Sequence, residues 1–271
     1  MIARALVLSL AVLGTASVSH AACNPDSPNA VDIYPTASEL PENILRFYVY
    51  FPRPMAATAG LDDVRLLDAK GFPVNGVFLP NRDNLWSPDR QRLTLLLDPG
   101  RVKTGLSAHE AMGRALVVGQ SYTLEVSGEI LDASDCALGT DRQHSFSVIA
   151  ADLSAPNPAD WSLTTPRAET TEPVIVDLAT AHDHLSLAYR LRVVDAASNI
   201  VPGSIALGPD ETSWLFSPRT PWRAASYALL VDERLEDLAG NRPGRLFDQP
   251  ASVAVTAWDS RRVFTPGSAR D

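Results

Sequence analysis

Along most of this chain, apolar and polar residues alternate over short stretches, and Pro, Gly, Asn and Asp interrupt them every few positions. Residues 44–51 and 92–97 are the clearest runs of the first half, and residues 144–148 follow the same period of two. In the second half, residues 173–176 open a comparable series and residues 253–258 are expected to close it. A period of two places successive side chains on opposite faces, so each run reads as a strand of an antiparallel sandwich. No stretch sustains the 3.6-residue apolar period of a long helix.

The two halves also repeat one another. Val64, Asp68, Val74 and Gly76 in a strand–turn–strand pattern recur as Leu191, Asp195, Val201 and Gly203, each pair 127 positions apart. Tyr122, Leu124, Val126 and Asp132 recur as Tyr227, Leu229, Val231 and Asp237, now 105 apart. Between these blocks, residues 85–88 resemble residues 215–218. The change of offset assigns about 22 extra residues to the first copy. The expected fold is all-β, with two tandem immunoglobulin-like β-sandwiches over residues 22–152 and 159–260. A linker at 153–158, a flexible tail at 261–271 and a long inserted loop at 98–114 complete the division.

The N-terminus adds a compartment. Arg4, an apolar run over residues 6–14 and a small-residue stretch to Ala22 have the order of a secretory signal peptide. Ser19 and Ala21 suit cleavage after residue 21, and the run is shorter than the roughly 20 residues a membrane span needs. Export to the periplasm or the extracellular space follows. Cys23 and Cys136 are the only cysteines. In an oxidising compartment they are candidates for a disulfide, although two lone cysteines can also stay apart. Cys23 at the cleavage junction alternatively admits lipid anchoring, from whose usual Leu-Ala-Gly-Cys pattern His20 departs.

With that division in place, particular segments resemble a family. Phe51, Pro54 and Met55 are similar to the Phe-x-x-Pro-Met segment of bacterial SbsA-type Ig-like domains. Gly119, Tyr122, Thr123, Leu124 and Val126 resemble their Gly-x-x-Tyr-Thr-Leu-x-Val strand, and Asp237, Gly240 and Asn241 their Asp-x-x-Gly-Asn turn. Copy one has Asp132 to Gly139 in place of that turn, and copy two has Leu178 to His182 in place of the first segment. The resemblance implies spacer, adhesin or surface-layer modules and assigns no activity.

Charge and motifs narrow the chemistry. A net charge of −9 argues against a nucleic-acid partner, which rewards a basic face. No second apolar stretch is long enough to cross a membrane. No catalytic, cofactor or metal motif is present, so the expected role is non-enzymatic: binding a protein or glycan partner, or spacing, at the envelope. Within the inserted loop Arg101, Lys103, His109, Glu110 and Arg114 gather charge on one connection, which makes them the candidate partner contacts. His109 beside Glu110, or His182 with His184, would serve a metal-dependent enzyme, a less favoured alternative. The repeat places the His182–His184 segment in a solvated loop. Five tryptophans, Trp86, Trp161, Trp214, Trp222 and Trp258, raise carbohydrate binding as another alternative if they are exposed.

Overall fold

The computed structural model describes residues 23, 31–80, 85–102, 113–250 and 253–267. In the first half, β1 (Asp32–Tyr34), β3 (Arg46–Tyr50) and β5 (Arg92–Leu96) form one sheet, in the order β1-β3-β5. Against it lies the sheet β2-β7-β6-β4, built from β2 (Glu39–Pro41), β4 (Val64–Asp68), β6 (Ser121–Val126) and β7 (Arg142–Ile149). In the second half, β8 (Ser162–Thr164), β9 (Val174–Asp177), β11 (Gly203–Leu207) and β12 (Ser213–Pro218) pair as β11-β12-β9-β8. They face β10 (Leu191–Asp195), β13 (Tyr227–Val231) and β14 (Arg261–Phe264), paired as β10-β13-β14. Only β2 and β7 run parallel among these pairs. Each half is thus an immunoglobulin-like β-sandwich.

Strand alternation builds each core. Phe47 and Val49 of β3, Leu93 and Leu95 of β5, Leu66 of β4, Leu124 of β6 and Phe146 of β7 meet between the first two sheets. Val174, Val176, Val193, Trp214, Phe216 and Leu229 do the same in the second. Each such side chain contributes about 1.5–3 kcal/mol by leaving water.

The repeat is structural in detail. Asp68 Oδ1 accepts from the amides of Lys70 and Phe72, and Asp195 Oδ1 accepts from those of Ala197 and Asn199, 127 positions on. Tyr122 Oη accepts from the Val117 amide and Tyr227 Oη from the Arg223 amide, the same tyrosine tie to upstream backbone. Isolated bridges pair Met55 with Asp132 and His182 with Asp237, so the two segments that differ in sequence occupy one structural position.

Four expectations change. First, residues 253–258 form no strand despite their alternation, and Val253 and Val255 are exposed. The strand that closes the second sandwich is β14, so residues 261–264 belong to the sandwich and not to a tail. Secondly, Phe146 pairs with Tyr122 and Phe264 with Tyr227, which reveals an insertion of about 13 residues in the second copy too, between Asn241 and β14. Thirdly, residues 215–218 lie in β12, whose place beside β9 matches that of β5 beside β3. Trp86 instead bridges Leu93 from the segment before β5, so the two patterns are not counterparts. Finally, the described residues include two short α-helices, α1 (Pro99–Val102) and α2 (His184–Arg190), and α2 begins where a solvated loop was expected.

Candidate functional site

The joint between the sandwiches holds the densest arrangement of polar and aromatic side chains, and β3 builds it. Alternation turns Phe47 and Val49 into the first core and Arg46, Tyr48 and Tyr50 outward. Tyr48 is nevertheless only 2% exposed, because the second sandwich covers it. Its hydroxyl donates to Asp183 Oδ2 at 2.8 Å, and Asp183 Oδ1 caps α2 by accepting from the Ser186 amide at 2.8 Å. The Arg46 guanidinium lies 3.4 Å from Asp183 and bonds Glu236, which also binds Arg242.

Burial governs the electrostatics here. It pushes the Asp183 carboxyl up from the usual aspartate value against the pull of Arg46, and it pushes the Tyr48 phenol up, reinforced by Asp183. For Arg46, burial opposes the charge, but Asp183, Tyr48 and Glu236 outweigh it and hold the cation.

Two further contacts fix the joint. Glu211 accepts from the Thr36 amide at 2.8 Å and from its hydroxyl at 3.2 Å, while Tyr34 packs on the His184 ring with centroids 3.6 Å apart. The Asp-x-x-Gly-Asn turn of the second sandwich docks directly on the first: Leu238 O accepts from the Leu45 amide at 3.0 Å, and Gly240, at φ +76°, faces Leu45. Phe247, from the second copy's insertion, packs on the first core.

The residues singled out in the sequence are distributed as follows. His182 and His184 do not converge. The former is fully buried against Trp161, donates through Nδ1 to Thr180 O at 2.9 Å, and is pushed down to about 4 by burial. The latter faces Tyr34 and Tyr50 of the first sandwich, with Nδ1 3.7 Å from Glu211. The helix that starts after Asp183 breaks the strand period that would have aligned them; His182 is buried in the second sandwich and His184 is half-buried at the joint, so neither sits in a solvated loop. No cluster of three metal-ligating side chains occurs among the described residues.

Arg101 is occupied by backbone, donating to the carbonyls of Gly113, Asn75, Gly76 and Arg114 at 2.9–3.3 Å. Arg114 returns a bond to Val102 O and pairs with Glu42 at 3.3 Å. Together they clasp the base of the inserted loop and are not free contacts. Lys103, His109, Glu110 and the signal segment lie outside the described residues. Trp161, Trp214 and Trp222 are core residues, and Trp86 and Trp258 are half-buried.

Cys23 and Cys136 form a disulfide, with Cα atoms 5.6 Å apart. Its counterpart in the second copy is a hydrogen-bonded tie. Cys136 sits on the Asp132 turn where Asn241 sits on the Asp237 turn, and Asn241 Nδ2 donates to Asp152 O at the end of the first sandwich and to Ser154 O of the linker. Each sandwich thus pins the segment that leads into it. Asp237 is itself pushed up to about 7 by burial, opposed by its Asn241 bonds and reinforced by Asp152.

No family model and no curated protein sequence matches the chain. Among solved structures, it is similar to native α2-macroglobulin from Escherichia coli spanning domains MG0-NIE-MG1, with 13% identity over 89% of this chain and 72% of that one, at a TM-score of 0.29. It covers only 14% of the native Escherichia coli α2-macroglobulin chain, at 10% identity and a TM-score of 0.29. The N-terminal Ig1-2 module of the Drosophila receptor protein tyrosine phosphatase DLAR is 12% identical over 74% of this chain and 90% of its own, with a TM-score of 0.23.

Sequence reasoning missed the joint. The available clue was residues 44–51, which are apolar or aromatic on both faces apart from Arg46. A strand of that kind is covered on both sides.

Proposed function

We propose that the chain is an exported, non-enzymatic pair of SbsA-type Ig-like modules that works at the cell envelope as a fixed-angle unit for binding a protein partner or spacing one. The observation that carries this is the joint. A buried tyrosine–aspartate bond flanked by the Arg46–Glu236 pair and the Thr36–Glu211 bonds is what a tandem needs to hold its two modules at one angle. The signal-like N-terminus and the matching positions of Met55 with Asp132 and His182 with Asp237 support the module assignment. The disulfide engages Cys23 and so favours an oxidising compartment over lipid anchoring.

Expression of the full chain in a Gram-negative host, followed by fractionation and mass analysis, tests the export reading. The expected product starts at Ala22, is oxidised and carries no acyl chain; an uncleaved cytosolic product or an acylated Cys23 overturns it. Small-angle scattering of the mature protein tests the fixed angle. One narrow interdomain distance is expected, and a broad distribution contradicts it.

A further inference from the structure

Beside the joint opens a groove of about 470 Å³ whose walls are unlike the rest of this acidic chain. Arg46 comes from β3 of the first sandwich, and Arg190, Arg192, Arg234 and Arg242 from α2, β10 and the loops of the second, with Tyr189 alongside. The guanidiniums are not gathered on one point. Arg46 and Arg242 share Glu236, whereas Arg190 and Arg234 share Asp232. Arg192 is exposed and makes no ion pair among the described residues. Five cations therefore face four carboxylates, Asp183, Asp232, Glu236 and, beside Arg234, Glu233, in a protein whose net charge is −9. The carboxylates orient four of the five cations and leave Arg192 as positive charge in excess at the groove. Tyr189, 62% exposed, adds a rigid aromatic surface to the groove.

We propose that this groove seats an acidic peptide segment of a partner protein. The proposal rests on the reading of the chain as a binding module and names the partner's chemistry. A single phosphate or sulfate would call for donors converging on one centre. Two arginine stations on different carboxylates, with a fifth arginine unpaired, suit carboxylates spaced along an extended chain. Arginine and tyrosine are also the side chains that anchor protein interfaces, because they combine a planar contact face with fixed polar groups. The groove is built by both sandwiches, so the fixed joint is what brings Arg46 and Arg242 to the same carboxylate.

The test uses the mature, oxidised protein and a fluorescein-labelled hexaglutamate, read by fluorescence anisotropy. Saturable binding is expected at low ionic strength, weakened about tenfold or more between roughly 20 and 200 mM salt. Arg192→Glu alone should weaken it several-fold, the Arg192→Glu, Arg234→Glu pair by at least tenfold, and Tyr189→Ala about threefold. Arg219→Glu, an exposed charge reversal after β12 on the other sheet, should leave it unchanged. Circular dichroism confirms that each variant is folded. Equal affinity in the charge-reversed variants overturns the groove assignment. Polygalacturonate binding where hexaglutamate does not assigns the groove to acidic glycans and overturns the peptide proposal. Competition by inorganic phosphate at the peptide's own affinity reduces it to a small-anion site and does the same. Absence of hexaglutamate binding in the wild type overturns the proposal while leaving the spacer reading to the scattering and fractionation results.

Discussion

His182 and Met55 occupy the same place in two copies of one fold, and only His182 titrates. Its value of about 4 lies below the roughly 6.5 of an unfolded histidine, so the unfolded chain takes up a proton the folded one refuses, and stability falls as pH drops through that window. Asp237, bridged to it, has the opposite sign. Its value of about 7 lies above the roughly 3.9 of an unfolded aspartate, so the folded state holds the proton and stability falls as pH rises between the two. The two effects oppose one another over the same range. His182→Met should therefore give a melting temperature that falls more steeply than wild type from about pH 5 to 7, and Asp237→Asn one that rises. Parallel curves for all three proteins would show that neither group is linked to folding. Gly240 is constrained twice, by its positive φ and by Leu45, with which a Cβ would overlap. Gly240→Ala should cost about 1–2 kcal/mol from the left-handed backbone alone, with more from the joint. Adding Leu45→Ala should recover only the joint's share, as a double-mutant cycle of unfolding free energies would reveal.

Elements that repeat with fixed spacing were legible in the sequence. The Asp68 and Asp195 turns and the Tyr122 and Tyr227 strands could be aligned because those side chains accept hydrogen bonds from backbone amides, a role few other residues fill. The closing strand was not legible. Val253, Val255 and Trp258 have the alternation of a strand but no neighbour to pair with, whereas Arg261 and Arg262 look like a polar tail and pair with Leu230 and Leu229. Period reports which faces could be buried, and only a partner strand makes the ladder. The inserted loop of the first copy shows the same limit. Its charges drew attention as contacts, yet Arg101 spends its donors on four carbonyls that hold the loop's base together. Arg101→Ala should lower stability by about 1–3 kcal/mol and raise amide exchange around Asn75, Gly76, Gly113 and Arg114. Arg101→Lys should recover little, because a single ammonium cannot span four acceptors in a fixed plane. Unchanged exchange at those amides in Arg101→Ala would return Arg101 to the set of free contacts.

At the scale of the whole molecule the question is whether two sandwiches behave as one body, and Asp183 decides it. Its two oxygens reach different partners: one caps α2 in the second sandwich, the other receives the Tyr48 hydroxyl of the first. Burial disfavours the carboxylate charge while Arg46 and the hydrogen bonds from Ser186 and Tyr48 favour it, and the net push is upward. A buried pair that loses one member leaves the other uncompensated, at about 3–5 kcal/mol. Asp183→Ala removes the cap and both contacts across the joint, so denaturant unfolding should separate into two transitions and the scattering distance distribution should broaden. Asp183→Asn keeps an oxygen for the cap or for Tyr48, so it should cost less than half as much and preserve a single transition. The order follows from what each substitution leaves unpaired. Arg46 retains Glu236 in both variants, while Tyr48 keeps an acceptor within reach only in Asp183→Asn. If the two substitutions were equally damaging, the charge itself would be what holds the joint, and the buried hydrogen bonds would be secondary to the ion pair with Arg46.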